Sequence, residues 1–460
     1  MMPSLYSGVS GLRNHSTRMN VVSNNISNVN TTGFKYGRVN FQDMLSMNLS
    51  GAAAPNDTKG GVNPKQFGLG MMVASIDNIF SQGSLQQTGK VTDLAVSGDG
   101  FFVMKKGEET FFTRAGNFDL DKDGTMVQPS NGVKVQGWMA QTDAQGKTRI
   151  DTTSSAGDVT IPLYGKLPAK QTASVFYRSN LDLQMPVMAP GATPEQIAQN
   201  SVVTTIDTFD SEGEVHPVRM RLWHSGVNQW TAQPVVLQKD VNGNEVEIPA
   251  TIDVAGQNGV PNPGNTILLN FDTQGSLVSV GDSDGNDVLA NGQLSAQLNF
   301  TAEGKNPQTV TLDLGTAGRF NGVTQFASPS TTKAYMQDGY GMGYLESFII
   351  DDNGVVTGSY TNGQRKELAQ VALAVFTNPG GLKKAGENFF VETNNSGLAN
   401  VGTPESGGRG KINSGKLEMS NVDLAEQFTD MIVTERGFQA NSRSITTADQ
   451  MIQELLTLKR

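Results

Sequence analysis

The chain has no cysteine. Disulfides, zinc–thiolate sites and cysteine nucleophiles are excluded at once. The compartment stays open on this ground, because a chain that works outside the cell need not carry Cys. No apolar run approaches the length needed to span a bilayer, so membrane insertion is not expected. The first twenty residues, MMPSLYSGVSGLRNHSTRMN, contain no continuous apolar core behind a basic start. A cleaved Sec signal peptide is therefore not expected. Charge is also sparse, at 17 % of residues, and 34 basic against 44 acidic side chains leave a formal net charge of −10. A general nucleic-acid binder would show a basic face, so nucleic acid is not an expected partner.

What the chain has instead is glycine, 52 residues of it, crowded with Asn, Ser and Thr. This composition is turn-rich and points to β structure with modest cores. At 460 residues there is room for about three domains.

The two ends are different. Leu5, Leu12, Met19 and Ile26 are spaced by seven, with Val9, Val22 and Val29 beside them. Leu424, Met431, Phe438, Ile445 and Ile452 repeat the spacing at the C-terminus. Sustained seven-residue apolar spacing marks a helix that buries one seam against another helix. SNVDL at 420–424 supplies capping residues for the second helix. The other d-type positions there are Gln427, Thr434 and Asn441, so the seam is partly polar. Residues 1–34 carry Arg13 and Arg18 and no acid, while 417–460 carry seven acids including Asp430. Opposite charge favours approach of the two ends. The segment NNISNVNTTGFK, 24–35, continues the helical spacing in residues that support a helix poorly. Such a helix is marginal alone and is expected to order on assembly. The expected assembly interface is Leu5, Leu12, Met19, Val22, Ile26, Val29, Leu424, Met431, Phe438, Ile445 and Ile452.

If the ends pair, everything between them is an insertion, and the domains are nested. The expected fold class is α+β: mainly β nested domains, with N- and C-terminal helices pairing as a coiled-coil-like assembly domain. Its parts are paired terminal helices over 1–35 and 415–460, an extended connector over 36–70, an inner β domain over 71–145 and 326–414, and outer β structure over 146–325, as one domain or two. Val218, Met220 and Leu222 alternate, as do Leu294, Ala296 and Leu298. TPEQIAQN, 193–200, is the helical signal of the middle.

These residues resemble the flagellar rod/hook family of bacteria. The N-terminal signature is matched by LYSGVSGLRNHSTRMNVVSNNISNVNTTGFK, the inner one by LAVSGDGFFVM and FTRAGNFDLDKDGTMV, and the C-terminal one by GKLEMSNVDLAEQFTDMIVTERGFQANSRSITTADQMIQELLTLKR. The resemblance covers about 1–145 and 325–460, and the middle matches more loosely. It implies a subunit of the curved hollow tube, the hook, that carries torque from rod to filament. The implied partners are other copies of the chain, the rod, hook cap and hook–filament junction proteins, and the flagellar type III export apparatus. The implied location is outside the cell, without signal cleavage. Some spirochaete members cross-link through a Cys-derived residue, which this chain lacks. A distal rod-type protein is the nearest rival, and the middle insertion favours the hook.

No enzyme, cofactor or metal is expected. DLDKDG, 119–124, starts like a calcium loop, but Ser130 stands where the bidentate Glu is needed. DSDGND at 282–287 and DDNG at 351–354 read as turns. His216 and His224 are eight apart in a strand-like stretch, with no metal-binding motif around them. A surface-displayed adhesin or glycan-binding β protein is the alternative from another class.

Overall fold

A computed structural model describes residues 2–55, 57, 59–142, 148–189, 193–239, 245–248, 250–254, 264–282, 288–289, 292–302, 305–331 and 333–457. Most of DSDGND lies outside these residues. Among the described residues the helices are α1 (Met2–Ser27), α2 (Pro194–Gln199) and α3 (Leu424–Thr457), besides one short 3₁₀ turn. None of them is long and apolar enough to cross a membrane. The remaining regular structure is β strand, so the class is α+β, mainly β.

The chain divides into two compact units, 1–163 with 346–359 and 365–460, and 164–345 with 360–364. The first thus contains both ends and the inner β structure. Its main sheet runs, in antiparallel order, through Arg365–Val371, Lys134–Thr142, Phe101–Lys106, Glu109–Thr113, Phe389–Val391 and Lys383–Gly386. Phe101, Phe112, Phe376 and Phe390 pack edge to face in its core. Trp138 joins that core and donates its indole N–H to Ser154 O at 2.8 Å. This contact ties the segment after residue 148 to the inner sheet. Strands Thr148–Ile150 and Gly157–Asp158 both pair with Lys134–Thr142. DLDKDG is a hairpin turn: Asp121 Oδ1 accepts the Asp123 and Thr125 amides, and Asp119 faces Lys90 at 2.9 Å.

Within residues 36–70, expected as an extended connector, there are paired strands. Gly37–Asp43 runs antiparallel to Met71–Asn78, and Ser46–Ser50 to Lys65–Gly68. Alternation in VNFQD and MMVASI carries this ribbon, and its inner part lies along α1. The Asn14 side chain donates to Met71 O, and His15 meets Phe41 edge-on at 5.8 Å.

The second unit is a sheet ordered Val202–Phe209, Val215–Gly226, Gln229–Lys239, Ile267–Phe271, Ser276–Asp282, Arg319–Phe326, Ser174–Asp182, Gln308–Thr316, Gln293–Phe300 and Ala250–Asp253. Pairing is antiparallel except at Ser174–Asp182, which runs parallel to both of its neighbours in this order. One hydrophobic cluster fills it, around the fully buried Trp230. Val218, Met220 and Leu222 face this core, as their alternation predicts. The capping box Thr193/Gln196 starts α2.

Leu269 sits directly opposite Trp230 in the core. Leu269→Ala should destabilise this unit by about 2–5 kcal/mol, read as an earlier fluorescence transition of Trp230 in denaturant. An unchanged midpoint would mean the pair is not a core contact.

Candidate assembly site: the terminal helix pair

α1 ends at Ser27, short of the expected limit near 35. Asn28 N–H is shared between Asn24 O and Asn25 O, and Val29 N–H bonds only three residues back, to Ile26 O, so Val29 lies beyond the helix. The Asn cluster is a stop signal with specific partners. Asn25, 2 % exposed, donates its amide to Gly37 O at 2.8 Å and to Gln427 Oε1 at 2.9 Å. Its Oδ1 accepts Gly37 N–H at 3.0 Å. One side chain thus ties the end of α1 to the next strand and to α3.

Beyond that stop, residues 31–35 are a buried anchor. Gly33, at φ +69°, donates its N–H to Glu418 O at 2.8 Å, and a Cβ there would stand 2.5 Å from Ala115 N. Only glycine fits the conformation and the space. Two residues on, Lys35 Nζ meets Glu418 Oε1 at 2.6 Å and Ser81 O at 2.7 Å. Arg114 approaches the other Glu418 oxygen at 3.4 Å, and Gly83 N–H donates to Oε1. The Lys35 and Glu418 side chains are fully buried, and that of Arg114 is nearly so. Burial pushes both cations below their ordinary range, against the pull of Glu418. Asn421 completes the junction. It accepts from Tyr36 N and donates to Ile79 O.

α3 starts at this junction. Asp423 Oδ1 accepts the amides of Ala425 and Glu426, an ordinary N-cap. α3 then runs antiparallel to α1. Asn25 faces Gln427, Arg18 pairs with Asp430 at 2.8 Å, His15 faces Gly437, Gly11 faces Asn441, and Gly8 faces Ile445. A Cβ on Gly8, Gly11 or Gly437 would stand within 2.8 Å of the facing side chain. The seam is therefore a close approach allowed by missing side chains. The residues of α3 buried in it are Gln427, Thr434 and Ala448.

The apolar repeats take up different places. Val22 is buried, while Leu5, Leu12, Met19 and Ile26 are half-buried along α1. On α3, Met431, Ile445 and Ile452 are half-buried, but Leu424 and Phe438 are 39 % and 43 % exposed. A seven-residue step in a straight helix falls about 20° short of two turns. The line from Leu424 to Ile452 is therefore an edge of the seam and not the seam itself, with Phe438 turned outward and Ile445 turned in against Gly8. Phe428 and Ile432, also about half exposed, share that flank with Leu424.

Two outcomes follow from this geometry. Glu418→Gln leaves two buried cations without a counter-charge, and should cost about 3–5 kcal/mol in denaturant unfolding of the first unit. A loss under about 1 kcal/mol would show that the cluster is solvated. His15 is held below its usual 6.5 by burial and by Arg18. The unfolded ends then bind the proton more readily, so pairing is at full strength above about pH 6.5 and weakens as pH falls through the lowered value. Amide protection in α1 should drop on acidification to pH 5, after correction for intrinsic exchange, and His15→Gln should remove the drop. An identical drop in the variant would assign it to other groups.

Family models match along the chain: "Flagella basal body rod protein" over 5–35, "Flagellar hook protein FlgE/F/G D1 domain" over 95–169, "Flagellar basal body protein FlaE D2 domain" over 178–340, and "Flagellar basal body rod FlgEFG protein C-terminal" over 413–458. The first and last fall on α1 with its anchor and on α3. The chain is 48 % identical to the flagellar hook protein FlgE of Treponema pallidum and 49 % identical to that of Borreliella burgdorferi, over 100 % of each chain. It is also 29 % identical to the flagellar basal-body rod protein FlgG of Bacillus subtilis, again over 100 % of both. Length alone therefore does not separate hook from rod, but identity does lean to the hook. With full-length matches of this strength, the chain belongs to the bacterial flagellar hook and basal-body rod protein family.

Proposed function

We propose that the chain is the structural subunit of a bacterial flagellar hook, packing with copies of itself into a curved hollow tube that passes torque from rod to filament. The observation that carries this is near-half identity, end to end, with two proteins named as flagellar hook proteins. The physical support is the flank of α3. Leu424, Phe428, Ile432 and Phe438 leave an apolar stripe beside a seam that is already filled. In the tube that stripe lies against neighbouring copies, together with the half-buried Leu5, Leu12, Met19, Ile26, Met431, Ile445 and Ile452. Val22 and Val29 contribute by holding α1 and its anchor in place. The wider partners are the rod, the hook cap, the hook–filament junction proteins and the type III export apparatus. The subunit works outside the cell, leaves it without signal cleavage, and performs no catalysis.

Phe438→Glu tests this reading. Phe438 still has close to half of its surface to bury, worth on the order of 1 kcal/mol per subunit. The carboxylate adds a desolvation cost at every repeat of the tube. The side chain is already wet in the single chain, so the fold should not notice. The variant should keep its circular dichroism and melting temperature and accumulate as soluble monomer in non-motile cells. Normal hooks built from it would mean that the flank is not an assembly surface.

A further inference from the structure

The turn 210–214 joins strands Val202–Phe209 and Val215–Gly226 in the second unit. Asp210 organises it. Its Oδ1 accepts the amides of Glu212 and Glu214 at 2.9 and 2.8 Å, and its own N–H donates to Glu214 O at 3.0 Å. The loop therefore uses Oδ1 and leaves Oδ2 outside those bonds. His216 follows on the core side of the next strand, in the row with Val218, Met220 and Leu222. Its exposure is 0 %, and its ring lies edge-on to Phe300 at 6.0 Å.

Neither nitrogen of this buried imidazole makes a hydrogen bond. Nε2 comes nearest to a partner at 3.5 Å from Asp210 Oδ2, itself a buried oxygen without a hydrogen bond. Buried polar atoms are ordinarily satisfied, so two facing orphans ask for a third party. Glu214 adds a carboxylate from the solvent side, and the three ligand atoms lie within 4.8 Å of one another. Lys305 Nζ stands beside them, 3.6 Å from Asp210 Oδ2 and 3.4 Å from Glu214 Oε2, and also pairs with Glu212.

We propose that Asp210, Glu214 and His216 form a site for one divalent transition-metal ion of the zinc type, with the Lys305 ammonium neutralising the carboxylates when no ion is bound. Ligands about 2.1 Å from a tetrahedral ion stand about 3.4 Å apart. The Asp210–His216 separation already matches that, and the exposed Glu214 side chain can swing in to close the third edge. One imidazole and two carboxylates suit zinc, cobalt or manganese, whereas calcium asks for six to eight oxygens. The ion would pin the hairpin turn to the strand row that faces the core. Binding to the folded state alone would then raise the stability of this unit.

The test is zinc titration of the full-length chain after chelator treatment, followed by calorimetry and by the melting temperature. With no cysteine in the chain, background binding is low. Expected is one saturable zinc ion per chain and a higher melting temperature. Glu214→Gln changes an exposed side chain and should weaken binding at least tenfold while the metal-free protein melts as before. His216→Gln should weaken it similarly, and Lys305→Gln should tighten it by freeing the carboxylates. Cobalt should give visible absorption bands that vanish in E214Q. Absence of saturable binding, binding that E214Q leaves unchanged, or calcium competing as well as zinc would each overturn the proposal.

Discussion

The carboxylate of Glu418 is the point on which both ends of the chain depend. It sits without solvent between Lys35 and Arg114, and its backbone carbonyl takes the Gly33 amide. Taking three charges out of water costs several kcal/mol each, and only their mutual attraction and the added hydrogen bonds offset it. The arrangement is therefore stable complete and poor when broken. Each charge comes from a different part of the first unit: the loop after α1, the inner sheet, and the strand before α3. Closing the cluster brings the exit of α1 and the entry of α3 to one place on the β structure. The antiparallel pairing of the helices follows from that.

Having been brought together, the helices pack through what they lack. Gly8, Gly11 and Gly437 let α1 and α3 approach closely, and Asn25 and Gln427 satisfy each other inside the seam. A seam built this way needs few large apolar side chains. Those that α3 does carry, Phe428, Ile432 and Phe438 among them, are left on its flank. Exposed apolar side chains of this kind suit a chain that gains by packing with copies.

Much of this was legible in the residues. Apolar spacing located both helices, Asp423 marked the start of the second, and strict alternation fixed which faces of the outer strands turn inward. The charge contrast between the ends is realised in Arg18 and Asp430. What could not be read was long-range. Lys35 and Glu418 are 383 residues apart, and nothing local in either stretch announces the other. Asn25 looked like a poor helix former because its partners, Gly37 and Gln427, are outside its helix. The row Gln427, Thr434 and Asn441 was visible as a polar break in a repeat, yet it is this row that follows the seam, because the close approach at Gly8, Gly11 and Gly437 leaves little room for large apolar side chains. The pairing of 37–43 with 71–78 was hidden by a loop of Gly, Ala and Pro between them.

The most direct measurement is oxidative footprinting of the same protein as monomer and as assembled tube, read residue by residue. In the monomer Phe428, Phe438 and Met451 should be labelled freely, while Val22 in the seam and Phe101 in the inner core should be shielded. Assembly should shield Phe428 and Phe438 and leave the protection of Val22 and Phe101 as it was. Equal labelling of the α3 flank in monomer and tube, or loss of protection at Val22 on assembly, would contradict an assembly that adds contacts to a helix pair already in place.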